Sequence, residues 1–185
     1  RTRYAAEVAA AAMTTGRKGG GKFYANVGAN DDEISVQSIN GQTVVYFDGS
    51  DGFSEWGNNL SHWLGLGDTG VMKGSRGAGK LGLPTGEHVV VVGYSRGAFL
   101  ASEYIKAMGD KSAGALIIVG SPGGVNVKSK ARVYEFGSYF DPVDYLGGNA
   151  DHSTKNFSCG HLGYESNLRS YGSFSYARDF NSWKK

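Results

Sequence analysis

The chain predicts an α/β fold, with a mostly parallel central sheet flanked by helices. Three observations carry this. Valine fills positions 89–92, and an amphipathic pattern follows over 98–108, so a buried strand runs straight into a helix. A second short apolar run, 115–119, is rich in β-branched residues. A third, 132–136, follows a connector containing Gly and Pro. Parallel strands need a crossover between them, and the helical pattern after the valines supplies one.

The elements follow in order. Residues 4–13 are alanine-rich and predict a helix. Residues 14–22 carry Gly, Lys and Arg without periodicity and predict a mobile connector. Residues 34–39 alternate apolar and polar, Asn40-Gly41 follows, and 43–47 return. Asn-Gly is the preferred two-residue hairpin turn, so the sheet should begin with an antiparallel pair. Residues 53–64 read as a short helix with Trp56, Leu60, Trp63 and Leu64 on one face and Ser54 as its cap. The glycine-rich stretch 65–86 has no clear assignment and is a candidate lid. Within it, 74–80 superficially matches a phosphate-binding loop, but Leu81 stands where a metal-binding Ser or Thr belongs and no apolar strand precedes it. Residues 147–185 show no repeat and no second domain. The expected organisation is an N-terminal helix and flexible connector over 1–22, then a single domain over 23–185.

Composition narrows the function. Nineteen basic and 17 acidic residues leave a net charge of +2 over 185 residues, too little to predict a nucleic-acid partner. The single cysteine, Cys159, excludes an internal disulfide framework and a cysteine-based zinc site. No apolar stretch reaches membrane-span length. The sequence begins at Arg1, so a processed or truncated product is expected and localisation stays open.

The chemistry concentrates at Gly93-Tyr94-Ser95-Arg96-Gly97. Strand, tight turn with a central Ser, then helix is the setting a nucleophile elbow requires. Gly93 and Gly97 are expected because a Cβ there would strike a neighbouring element, and Ser95 should be strained with its hydroxyl exposed. The bland alternative is an ordinary strand-to-helix turn with Ser95 as N-cap. A serine nucleophile needs a His to take its proton and an acid to orient that His. Downstream, Asp141 follows the strand ending at 136, with Asp144 as competitor. His161, in Cys159-Gly160-His161, is the favoured base and His152 the runner-up. His62 and His88 precede the Ser and read as structural. The oxyanion donors expected are the N–H groups of Arg96, directly after the nucleophile, and of Ser50, in the loop after 43–47. Phe53, Tyr94, Tyr139, Phe140 and Tyr164 are candidates to line an apolar acyl site, each with core packing as its ordinary role. No cofactor or metal is implied.

Taken together, Phe47-Asp48-Gly49-Ser50, Glu55-Trp56 with Asn59-Leu60, Gly93-Tyr94-Ser95-Arg96-Gly97-Ala98, Gly120-Ser121-Pro122, Asp141-Pro142-Val143 and His161 resemble the class 3 (fungal-type) lipase family. The resemblance spans about 34–164. It implies an α/β-hydrolase fold and a serine ester hydrolase acting on carboxylic or lipid esters, with possible interfacial contact at a membrane or lipid surface. Asp48 stands where that family has Arg, and Tyr94 and Arg96 stand where it has His and Leu. The Gly-Tyr-Ser-x-Gly run is also similar to cutinase, without that family's disulfide cysteines. Arg96 reads either as a contact for an anionic substrate group or as a surface residue. Two alternatives use the same residues: an acyltransferase or thioesterase with the same triad, and a degenerate hydrolase fold serving as a binding or structural module. Oligomeric state is not legible.

Overall fold

In the computed structural model the described residues are 1–17, 22–23, 34–49, 82–121, 129–138, 163–170 and 176–180. They form a seven-stranded sheet whose spatial order follows the chain. Strands β1 (Lys22–Phe23), β2 (Ile34–Ile39) and β3 (Gln42–Phe47) pair antiparallel. Strands β3, β4 (Val89–Tyr94), β5 (Ala115–Val119) and β6 (Arg132–Gly137) pair parallel. The last strand, β7 (Tyr176–Phe180), is antiparallel to β6. The parallel character is therefore confined to the middle four strands. The sequence anticipates the antiparallel hairpin on one flank but not β7 on the other.

Alternation explains why β4 is buried on both sides. Val89 and Val91 pack with Val45, Phe47, Leu116 and Ile118 beneath α2 (Arg96–Met108). Val90 and Val92 join Val44, Tyr46, Ile117 and Phe136 on the opposite face, beneath α1 (Thr2–Arg17) and α3 (Tyr164–Arg169). Each fully buried valine contributes about 1.5–3 kcal/mol, so this strand anchors both layers. On α2 the buried positions Leu100, Ala101, Tyr104 and Ile105 make one stripe of helical period. On α1 the buried stripe is mostly alanine, at Ala5, Ala6, Ala9, Ala10 and Ala12. Such small side chains let the helix backbone lie close to the sheet.

The first helix is longer than 4–13. It continues to Arg17, through residues expected to be connector, because its last turn is held by tertiary contacts. Arg169 donates to Thr14 Oγ1 at 2.6 Å and to Glu165 Oε1 at 3.4 Å, and the Thr14 hydroxyl donates to Glu165. Buried Gln37 donates from Nε2 to the Ala12 carbonyl at 3.1 Å, tying β2 to the same helix. Lys22, also expected in the connector, begins β1. The proposed helix over 53–64 and the candidate lid over 65–86 lie outside the described residues, apart from 82–86, where only Leu83 is buried.

Candidate active site

The parallel strands bring their carboxyl ends to one edge, where β3 ends at Phe47, β4 at Tyr94 and β5 at Val119. Open α/β sheets place their chemistry at this edge. Ser95 follows β4 directly and α2 begins at the next residue. Its backbone has φ 57 and ψ −124. That combination lies outside the left-handed helical region and costs a non-glycine residue about 1–3 kcal/mol. The Ser95 N–H donates to the Val119 carbonyl at 2.9 Å, and the Ser95 carbonyl accepts from the Ala98 N–H at 3.0 Å. Both bonds hold the strained residue. An ordinary capping serine has extended backbone and a side-chain bond into the helix. Ser95 has neither, since its hydroxyl makes no capping hydrogen bond.

The two flanking glycines are required by space. A methyl group at Gly93 would lie 2.4 Å from the Gly97 carbonyl oxygen and 2.6 Å from Ala98 Cα. A methyl group at Gly97 would lie 2.1 Å from the Phe47 carbonyl oxygen and 2.4 Å from that of Asp48. Real Cβ atoms do not approach backbone so closely, so the end of β3, the end of β4 and the first turn of α2 meet without room for side chains. The first N–H groups of α2, including that of Arg96, carry the partial positive charge of a helix start beside Ser95.

The loop after β3 closes on the same point. Gly49 is packed so that a methyl group there would lie 3.0 Å from Ser95 Cβ and 3.1 Å from Tyr94 Cδ1. Ser95 keeps only 4% of its surface, which corrects the expectation of an exposed hydroxyl. The crowding comes from the Gly49 turn and from the β5 end that accepts its N–H.

Of the sequence-derived candidates, the structure brings together Ser95, Tyr94, the start of α2 at Arg96, and Tyr164. Tyr94 is half-buried, and its ring meets Tyr164 edge-on at 6.1 Å and 66°. Tyr164 is fully buried in the α1-side core. His88 is exposed at the amino end of β4, roughly 20 Å of strand from Ser95. Ser50, Phe53, Tyr139, Phe140, Asp141 and His161 lie outside the described residues, as do Asp144 and His152. The described chain stops at Ser138, three positions before Asp141, and resumes at Gly163, two after His161.

Two residues outside the sequence-derived candidates, Tyr46 and Asp48, also meet at this turn. Asp48 Oδ1 accepts from the Tyr46 hydroxyl at 2.7 Å and from the Gly49 N–H at 2.8 Å. Their i, i+2 spacing, which sets side chains on one side of an extended strand, is the signal that could have revealed them. Among the described residues no group of three His, Cys, Asp or Glu side chains could hold a metal ion. Nor is any described helix long and apolar enough to cross a membrane. A cleft of about 270 Å³ involves Arg1, Tyr4, Val90, Ala115 and Arg132, near the amino ends of the strands and away from Ser95. No family model matches the chain, and comparison with curated proteins and with solved structures found no match either.

Proposed function

We propose that this chain is a serine ester hydrolase of lipase or esterase type, built on an α/β-hydrolase fold related to the class 3 lipases. The observation that carries the reading is the backbone of Ser95, held at φ 57 and ψ −124 between two glycines with no space for a side chain. Strain of this kind, kept at a polar residue on the carboxyl edge of a parallel sheet, has a use when a hydroxyl must be aimed.

The reaction follows from the residue types. His161 takes the proton of the Ser95 hydroxyl as Oγ attacks the ester carbonyl. The carbonyl oxygen becomes an oxyanion and accepts hydrogen bonds from the N–H groups of Arg96 and Ser50. Collapse breaks the ester C–O bond, and His161 returns the proton to the leaving alcohol. A water, deprotonated by His161, then attacks the acyl-enzyme; the bond between the acyl carbon and Ser95 Oγ breaks, His161 returns the proton to Oγ, and the carboxylic acid leaves. Asp141 keeps His161 in the tautomer this needs. Two neighbours support the assignments: Ser138 closes β6 at the edge that precedes Asp141, and Tyr164, shortly after His161, packs on Tyr94.

Labelling by a small alkyl fluorophosphonate, read by intact mass, tests the reading. One adduct on the wild type and none on Ser95→Ala is the expected result. A second reading, a degenerate fold kept as a binding module, is favoured by the 4% exposure of Ser95. Folded wild-type protein that takes up no probe would establish it over the first.

A further inference from the structure

The Tyr46–Asp48 pair is joined to the Gly49 turn that packs on Ser95, and the mechanism above does not use it. Tyr46 lies on β3 with its ring in the α1-side core and 2% of its surface exposed. It is backed by the end of α1, where a methyl group at Gly16 would lie 2.4 Å from Tyr46 Cε1 and 2.6 Å from Cδ1. The ring therefore has no room to swing toward the helix. From that seat its hydroxyl donates to Asp48 Oδ1 at 2.7 Å, and the same oxygen accepts the Gly49 N–H at 2.8 Å. Gly49 in turn abuts the elbow, at 3.0 Å from a methyl position to Ser95 Cβ and 3.2 Å to the Tyr94 carbonyl oxygen. A continuous chain of contacts thus runs from α1 through Tyr46 and Asp48 to the turn that lies on Ser95.

The chemistry of this chain is directional. The Gly49 N–H points at a carboxylate, so it is engaged before any substrate arrives. The bond fixes the peptide plane between Asp48 and Gly49, and so how the Gly49 turn lies against Ser95 Cβ. In the hydrolase reading, on which this inference rests, the next peptide carries the Ser50 N–H that meets the oxyanion. A donor must sit within a few tenths of an ångström of its best position to act. We propose that Tyr46 and Asp48 are positioning residues: Asp48 sets the Gly49 turn, and Tyr46, seated against Gly16, sets Asp48. Neither touches substrate. A charged carboxylate at this point is tolerated because two donors already satisfy the oxygen nearest the turn.

The test is the labelling rate of the full chain with the alkyl fluorophosphonate, resolved into probe affinity and the first-order rate of bond formation. Asp48→Ala removes the acceptor and is expected to slow bond formation roughly 10–100-fold, since loss of an oxyanion donor outright costs about 100–1,000-fold. Asp48→Asn keeps an oxygen in place and should stay within about 3-fold of wild type. Tyr46→Phe deletes one hydroxyl and is expected to slow the step about 3–10-fold. Probe affinity should hold in all three. The proposal is overturned if Asp48→Ala and Tyr46→Phe react at the wild-type rate, if Asp48→Asn is as slow as Asp48→Ala, or if the loss appears in affinity instead. Should Asp48→Ala fail to fold, Tyr46→Phe decides alone, because one buried hydroxyl is a small change. A wild type that takes no probe overturns the hydrolase reading itself, an outcome distinct from variants that match a reactive wild type.

Discussion

Asn40 and Ser95 both have a positive φ, 51 and 57, and among the described residues no other non-glycine does. Their surroundings are opposite. Asn40 is exposed at the tip of the β2–β3 hairpin, followed by Gly41 at φ 77, where a methyl group would meet nothing within 4 Å. Asparagine enters the left-handed region at little cost, and glycine at none. Ser95 is buried, its ψ takes it out of that region, and the glycines around it are crowded by backbone. One turn is chosen by local chemistry. The other is imposed by three elements meeting, and its strain is offset by the surrounding packing. Gly41 supplies a conformation, whereas Gly93 and Gly97 supply space.

The sharpest way to break this comparison is to add the same methyl group at both turns. Gly97→Ala would place a Cβ 2.1 Å from the Phe47 carbonyl oxygen, and β3 cannot move without losing its pairing to β4. A loss of about 3 kcal/mol or more is expected, together with loss of the fluorophosphonate labelling that the proposed hydrolase reading predicts for the wild type. Gly41→Ala strains φ without a clash and should cost only about 1–2 kcal/mol, with labelling equal to that of the wild type. Urea denaturation of the two variants gives both numbers, and equal losses would erase the distinction.

A second comparison isolates the strain at Ser95. Ser95→Gly and Ser95→Ala both remove the hydroxyl, but only glycine accepts φ 57 and ψ −124 freely. The glycine variant should be more stable than the alanine variant by about 1 kcal/mol, although glycine normally costs the folded state entropy. If alanine proves the better residue here, Ser95 is not strained.

The smallest effect lies on the helix that Ser95 begins. Tyr104 is fully buried against the Phe47 ring at 5.7 Å, and among the described residues its hydroxyl has no hydrogen-bond partner. Burial pushes its ionisation above the usual tyrosine value near 10. The unfolded chain therefore loses this proton first as pH rises. Stability is unaffected well below pH 10, and declines above it as the unfolded tyrosine ionises. Tyr104→Phe should change neutral-pH stability by less than about 1 kcal/mol and reduce that alkaline decline. Denaturation curves at pH 7 and pH 11 check it, and an unchanged alkaline slope would count against the burial argument.

Much of the framework was legible. The valine run, the Asn40-Gly41 turn and the glycine spacing around Ser95 act through neighbours in sequence, and β2, β3, β4, β5 and α2 fall close to where they were expected. The later part of the chain was harder. Tyr176–Phe180 contains Arg178 and Asp179 and shows no strong strand pattern, yet it pairs along the length of β6. A strand at the sheet edge draws its stability from its partner, so its own side chains need not announce it. The end of α1 was missed for a related reason, since Arg169 and Glu165 lie more than 150 positions from Thr14. At the site, the nucleophile candidate and its glycines were legible. The Tyr46–Asp48–Gly49 arrangement was not, because its i, i+2 spacing recurs in any strand and only the folded chain sets it against Ser95.

By itself the sequence determined the periodicities: which runs bury both faces, which helix has one apolar stripe, and where the backbone must turn tightly. These depend on side-chain alternation and on the conformational range of Gly and Asn, which are properties of neighbouring residues. The tertiary structure alone decided that an antiparallel strand, β7, flanks the parallel core beyond β6, that α1 runs on to Arg17, and that Ser95 lies buried beneath the Gly49 turn. Those outcomes turn on which distant segments compete for the same space and the same hydrogen-bonding groups, and local pattern holds no record of that competition.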